Sequence, residues 1–434
     1  MSRIGLSLVS VLLAMGLAAS ARAQEPSVSR QVLPNGLTVL VREDAAGVVA
    51  MSLQVRAGSR FESPTTTGIT NFLHRAMLRG TSKRTAVQLA TSYEDIGGTL
   101  DASGEVEAAE VRGQALARHW ETLLGLIAEV ALEATLPADE LEKERRLLLG
   151  QIKARADAPF SLTFDTMLRD LYGAHPYAAQ SLGRRETIER LTRDDLLAHY
   201  RAIYRPERMV LAVSGEVARD RVVRAAERLF GRMARATATP PEALAAPSPK
   251  GDRRVIVLPA QQAQIFVGYL VPGLMDPLYP AVRVLGATLG GGMAGRLFVE
   301  LRDRRGLAYS TGVVIPFRTG PAFFVAYLGT APTSAAAAEA GVLGELERAR
   351  ATPATADELA RAKAYIRGLL LMDRRTNARR AWYLAFFEVV GVGWDFPERF
   401  GRAVEAVTAA DMARAAERYL TRPTVVILQP TPKR

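Results

Sequence analysis

The 434-residue chain is 48% hydrophobic and carries a formal charge of +11, with 56 basic residues interleaved among 45 acidic ones. The length points to two or three domains with a proper core, and the dispersed charge reads as a solvated surface, not a nucleic-acid footprint. It contains no cysteine, which excludes disulfides, thiolate metal sites and a cysteine nucleophile.

The first residues read as an export signal. Arg3 precedes an apolar run from Ile4 to Ala19, and Ala21-Arg22-Ala23 has the form of a cleavage site. Residues 1–23 are therefore expected to be removed, giving an exported chain, periplasmic in a two-membrane bacterium and otherwise secreted. The apolar run falls short of the roughly 20 residues a membrane span needs. No stable membrane anchor is expected.

In the segment 24–235, Pro34-Asn35-Gly36 predicts a hairpin between Gln31 and Val41. Val48 to Arg56 alternates as a strand. Helices are expected at about 68–79 and 85–96, the second ending at Gly97-Gly98. Thr99 to Arg112 reads as one strand-like stretch, and Gly97 to Glu107 offers either an ordinary internal strand or an edge for an added peptide strand. Helices follow at Trp120 to Leu132, Ala138 to Ala156, Leu162 to Tyr172 and Thr192 to Ile203, with Thr192 as an N-cap. His175-Pro176-Tyr177 opens an irregular connection. Met209 to Ser214 is a strand, and Arg219 to Arg232 a helix.

Residues 236–252, rich in Pro, Ala and Ser, form the linker to a second domain, 253–434. There the pattern repeats. Strands at Val255 to Leu258 and Gln264 to Leu270 precede a helix at Tyr279 to Thr288. Gly290 to Gly292 lacks the Lys-Ser/Thr of a phosphate loop and reads as a tight turn beside a cleft. A helix at Ala294 to Asp303, strands at about 308–316 and 321–328, and helices at about 333–350 and 355–373 follow. Thr408 to Asp411 opens a helix as Thr192 to Asp195 does, and Val425 to Leu428 closes the chain as a strand. The fold class is α+β, with two homologous domains from a duplication, each an antiparallel-rich sheet packed with helices.

Gly68 to Thr81 has the frame of a metal-binding helix. Ile69, Phe72, Leu73, Ala76 and Met77 recur at helical spacing, and Asn71, His74 and Arg75 share the opposite side. The chain resembles the pitrilysin/insulinase-type zinc metallopeptidases, whose zinc helix reads H-x-x-E-H. The resemblance runs from about Val32 to the C-terminus. It is carried by Ala57-Gly58-Ser59-Arg60 with Glu62, the helix frame, Gly97-Gly98 with Asp101-Ala102, His175-Pro176-Tyr177, Arg296-Leu297-Phe298, Leu301-Arg302 and Gly306-Leu307-Ala308-Tyr309. It implies the two-domain fold of mitochondrial processing peptidase.

The resemblance places the family's zinc ligands and general base at 71, 74, 75 and 151. Here those positions hold Asn71, His74, Arg75 and Gln151, while the supporting Glu144 is kept. Amide oxygens are weak zinc donors, and a guanidinium has no lone pair to give. No metal is therefore expected in this chain. His74 is left either as a lone base or as a structural histidine. Arg75 is expected to pair with Glu144 and bridge the two helices in the metal's place.

Arg302 and Tyr309 fit a surface ion-pair residue and a strand core residue when taken alone. The resemblance implies instead that they reach the substrate carbonyl and donate to its developing oxyanion. It further implies a zinc-free subunit, inert by itself, whose partners are a zinc-bearing H-x-x-E-H homologue and a peptide substrate. A non-enzymatic scaffold or peptide-binding protein on the same fold is the alternative, and a self-sufficient hydrolase with an unorthodox site is a further one.

Overall fold

A computed structural model describes residues 27–235 and 246–431. The expected export segment, residues 1–23, and residues 236–245 of the expected linker lie outside the described residues. Strands β1 (Val28–Val32), β2 (Thr38–Glu43) and β3 (Val48–Val55) open the first half. Helices α1 (Ile69–Met77) and α2 (Ala86–Glu94) follow, then β4 (Thr99–Gly104) and β5 (Ala109–Leu116). The stretch from Thr99 to Arg112 is thus two antiparallel strands, Thr99 opposite Gln114 and Gly104 opposite Ala109. Polar Glu105 and Glu107 mark the reversal; the short alternation on either side looked like one strand. Next come α3 (Trp120–Glu133), α4 (Ala138–Asp157), α5 (Pro159–Tyr172), α6 (Arg185–Arg190) and α7 (Arg193–Ile203). Strand β6 (Met209–Gly215) and α8 (Arg219–Phe230) complete the half.

The second half runs β7 (Arg253–Leu258), β8 (Ala263–Val271), α9 (Tyr279–Gly290), a π-helix at Phe298–Arg304, β9 (Ser310–Val314) and β10 (Ala322–Thr330). Helices α10 (Ala335–Ala351), α11 (Ala356–Asp373), α12 (Asn377–Val389), α13 (Phe396–Ala406) and α14 (Ala409–Tyr419) lead to β11 (Thr424–Pro430). The sequence pattern did not reveal α12 and α13.

The two sheets share one plan. The first has the order β1-β2-β6-β3-β5-β4, the second β7-β11-β8-β10-β9. In each, one pair is parallel, β2 with β6 and β7 with β11, and the rest of the shared frame is antiparallel. β4 and β9 occupy equivalent edges. On the first edge α1 packs on β4 and on α4; on the second, α9 packs on β9 and on α11.

Each half also covers the other's sheet. α5 lies on β8 and β11, and α12 lies on β3 and β6. Met167, Leu171 and Tyr172 of α5 join Phe266, Phe323 and Val426 in one apolar cluster. Asn377 at the start of α12 accepts from the Ser214 hydroxyl at 3.0 Å. Packing therefore crosses the linker boundary in both directions.

A buried carboxylate ties the halves further. Glu107, 2% exposed, accepts from the Tyr177 hydroxyl at 2.5 Å and from Arg60 at 2.7 Å. It also accepts from the Thr319 backbone at 3.2 Å and hydroxyl at 3.0 Å. Gly320 N–H donates back to the Tyr177 oxygen at 3.1 Å. Among the described residues, no helix is long and apolar enough to cross a membrane.

Candidate functional site

The site is set by how α1 begins. Glu62 places its carboxylate on the open N-terminus of the helix, accepting from Gly68 N at 2.7 Å and Thr70 N at 2.9 Å. Burial raises the Glu62 carboxyl, and these two N–H groups oppose that shift. The apolar stripe Phe72, Leu73, Ala76 and Met77 enters the first core. The opposite side meets β4 so closely that a Cβ on Gly104 would stand 2.6 Å from Asn71 N. Only glycine permits that approach.

Of the positions expected to mark a lost zinc site, His74, Arg75 and Gln151 are committed elsewhere, and Asn71 is held through its amide N–H alone. Asn71 donates its amide to Gly104 O at 3.1 Å, and its Oδ1 is buried without a partner. His74 is fully buried: Nδ1–H donates to Thr70 O at 2.7 Å, and Nε2 accepts from the Tyr204 hydroxyl at 2.9 Å. Burial lowers the His74 imidazole to about 4, so the ring is neutral with both nitrogens engaged. It has no lone pair left for a metal and no free nitrogen to act as a base on a substrate.

Arg75 sends Nε to Glu144 Oε1 at 2.5 Å and Nη1 to Gln151 Oε1 at 2.8 Å. Glu144 and Gln151 lie two turns apart on one face of α4. Arg79, one turn beyond Arg75, donates Nη2 and Nε to Glu144 Oε2 at 2.6 and 3.0 Å. Glu144 is 1% exposed, against 23% for Arg75 and 40% for Arg79. A dication would have to displace or abut these guanidiniums. Among the described residues no three His, Asp or Glu side chains group as metal ligands. The donor set does not fit zinc.

Sequence reasoning anticipated the Arg75–Glu144 pair but missed Arg79, although its spacing of four puts it on the same face. It also missed Glu107 and its bond to Tyr177; the partners of Glu107 lie 47 to 212 residues away in the chain. No local signal joins Glu107 to these partners.

The second constellation stands at the edge of the second sheet. The π-helix ends where Gly306 takes φ of 63°, a left-handed conformation suited to glycine. Gly306 N then bonds Arg302 O at 3.1 Å and Leu307 N bonds Leu301 O at 2.7 Å. The chain turns into Tyr309, whose N–H bonds Gly329 O at 2.9 Å at the start of β9. Arg302 lays its guanidinium over the Phe298 ring at 4.8 Å. Tyr309 is 59% exposed. Among the described residues neither the Arg302 guanidinium nor the Tyr309 hydroxyl has a hydrogen-bond or ion-pair partner, and nothing of that kind joins them to the α1–α4 cluster. Gly290 and Gly291 line a cavity of about 490 Å3 between α9, β9 and α11, as a turn beside a cleft would.

Known proteins agree with this architecture. The family description "Insulinase (Peptidase family M16)" matches residues 38–184, and "Peptidase M16 inactive domain" matches residues 190–366. The chain is 33% identical over 301 residues to an uncharacterized zinc protease of Mycobacterium leprae, covering 68% of each chain. It is 27% identical over 395 residues to an uncharacterized zinc protease of Rickettsia bellii, covering 90% of this chain and 94% of that one. A protease from Helicobacter pylori superposes with a TM-score of 0.87 at 21% identity, over 94% of this chain and 100% of that one. The peptidase M16 inactive domain from Pseudomonas fluorescens gives 0.86 at 24% identity, over 94% and 99%. These two structural likenesses establish the two-domain α+β fold. With the family matches and the relatives, they lead to one conclusion: the chain belongs to the insulinase, or M16, peptidase family.

Proposed function

We propose that this chain is an exported, zinc-free subunit that pairs with a zinc-bearing H-x-x-E-H homologue and hydrolyses peptides only as part of that pair. One contrast carries the reading. His74, Arg75 and Gln151 are tied into internal bonds, whereas Arg302 and Tyr309 stand at a sheet edge with their polar groups uncommitted. Their guanidinium and phenol donate to a peptide carbonyl oxygen as it gains charge in the partner's active site. Donors fixed in advance stabilise that charge more than water does. The relatives described as zinc proteases support metal-assisted peptide hydrolysis as the reaction of the complex, with the zinc held by the partner.

The test is affinity capture of the tagged chain from its native host, followed by reconstitution. An H-x-x-E-H homologue should co-purify with stoichiometric zinc in that partner, and this chain purified alone should be inert. Chelator-sensitive peptidase activity from the isolated chain with bound zinc would overturn the reading. Recovery of a stable complex whose activity ignores Arg302 and Tyr309 would make the chain a scaffold on the same fold.

A further inference from the structure

The cavity between α1, α2, α4 and β4 has a volume of about 410 Å3 and is lined by Arg75, Arg79, Tyr93, Ser103 and Glu144, among others. We propose that it is an anion site, and that it takes a carboxylate of an extended peptide where an active family member would hold its metal. The proposal rests on reading the chain as a peptide-handling subunit and names what its first half recognises.

The charge balance at the site is direct. Two guanidiniums share the single Glu144 carboxylate, leaving one positive charge in excess beside the cavity. Glu144 holds Arg75 by Nε and Arg79 by Nε and Nη2, and Gln151 holds Arg75 by Nη1. That leaves Nη2 of Arg75 and Nη1 of Arg79 without a partner among the described residues. Both side chains are partly exposed, so the unused N–H groups can meet a ligand. The Tyr93 and Ser103 hydroxyls also lack hydrogen-bond partners among the described residues, adding neutral donors to the lining. Asp101, the other acid on the lining, is ion-paired to Arg112. Planar guanidiniums already braced by a buried carboxylate are suited to oriented recognition of a carboxylate.

The shape selects an extended chain. Asp101, Ala102 and Ser103 of β4 line the cavity, and β4 is the outer strand of its sheet, pairing only with β5. A peptide lying along β4 would bring a carboxylate to the arginines. That group is either the peptide's C-terminus or an Asp or Glu side chain. Both present the same oxygens.

The experiment uses the full mature chain and fluorescent extended peptides, read by anisotropy. One peptide has a free C-terminus and no acidic side chain, one is its amide, and one is an amide carrying a single Glu. Hydrogen bonds to a charged partner predict binding on the order of tenfold tighter for a carboxylate-bearing peptide than for the plain amide. Preference for the free acid identifies the terminal carboxylate; preference for the Glu peptide, lost on Glu→Gln, identifies the side chain. Arg79→Gln should erase the preference. Rising salt should shrink it in the unmodified chain, a readout that stands even where the variant folds poorly. Equal binding of all three peptides, no binding of any, or a preference that survives both Arg79→Gln and high salt would overturn the proposal. The readout needs no partner subunit. A preserved carboxylate preference with a pair indifferent to Arg302 and Tyr309 would sink only the trans-acting site.

Discussion

The two halves build the same corner from opposite chemistry. In the first, α1, α4 and β4 enclose a cavity of about 410 Å3 with Arg75, Arg79 and Glu144 on its wall. In the second, α9, α11 and β9 enclose about 490 Å3 lined mostly by apolar residues such as Val313, Ile315, Phe317 and Ile366, with Arg283 and Asp373 also on its wall. The duplicated frame therefore does not need two arginines braced on one buried carboxylate at this corner to fold. Charge in the first half is retained against a desolvation cost, which the frame meets with paired hydrogen bonds. The second half keeps its exposed donors outside the corner, at Arg302 and Tyr309.

The largest effect is expected where the halves meet. Glu107→Ala removes the carboxylate that holds Tyr177, Arg60 and Thr319 together. Breaking a buried charged network of this kind costs about 3–5 kcal/mol. Urea unfolding followed by tryptophan fluorescence should show a clear drop in midpoint. A midpoint unchanged from the parent would mean that the sheets are held by the exchanged helices alone.

The next test turns the first corner into the second. Glu144→Ala strands two arginines, and because both are partly exposed we expect about 2–3 kcal/mol, below the range for a fully buried pair. Replacing Arg75, Arg79 and Glu144 together by leucine makes the first corner apolar and should recover most of that loss, since apolar replacements of buried ion pairs are often neutral. A triple variant no more stable than Glu144→Ala would show that the corners are not interchangeable.

Acid should distinguish the halves as well. Burial holds His74 and His199 at about 4 in the folded chain, with Arg208 adding to the shift at His199. Their unfolded imidazoles titrate near 6.5, so between those values the unfolded state binds more protons and stability falls as pH drops. The loss approaches about 2–3 kcal/mol per imidazole near pH 4. In the second half Arg296 holds Glu358 down at about 2, so its contribution is lost lower, as pH falls from about 4.5 towards 2. Hydrogen exchange across the pH range should show the first half loosening first. Simultaneous loosening, or a flat profile down to pH 4, would contradict these assignments.

Much of this contrast was readable in the residues. The helical stripe Ile69, Phe72, Leu73, Ala76 and Met77 and the repeated Thr caps at 192 and 408 identify the duplicated frame, because periodicity and capping are local. Asn71, Arg75 and Gln151 declare their unsuitability for zinc through donor chemistry alone. His74 did not declare itself: burial keeps it neutral, and the group that occupies its Nε2 is Tyr204, 130 residues away in sequence. The exchange of α5 and α12 was hidden for the same reason. Nothing in the spacing of α12 says that it covers β3 and β6, since an apolar helix face does not name the sheet it packs on. Thr99 to Arg112 was misread because a hairpin with a short polar reversal keeps the period of a single strand.

The smallest stability effect is expected at the residues given the largest functional one. Arg302 and Tyr309 make no polar side-chain bond among the described residues, so Arg302→Ala and Tyr309→Phe should each shift stability by no more than about 0.5 kcal/mol. The decisive measurement is kcat/KM for peptide hydrolysis by the pair reconstituted with its H-x-x-E-H homologue, made with each of these two variants at matched complex concentration. Loss of an oxyanion donor predicts a fall of about 100-fold for Arg302→Ala with the complex intact. Unchanged activity for both variants in an intact complex would contradict the account.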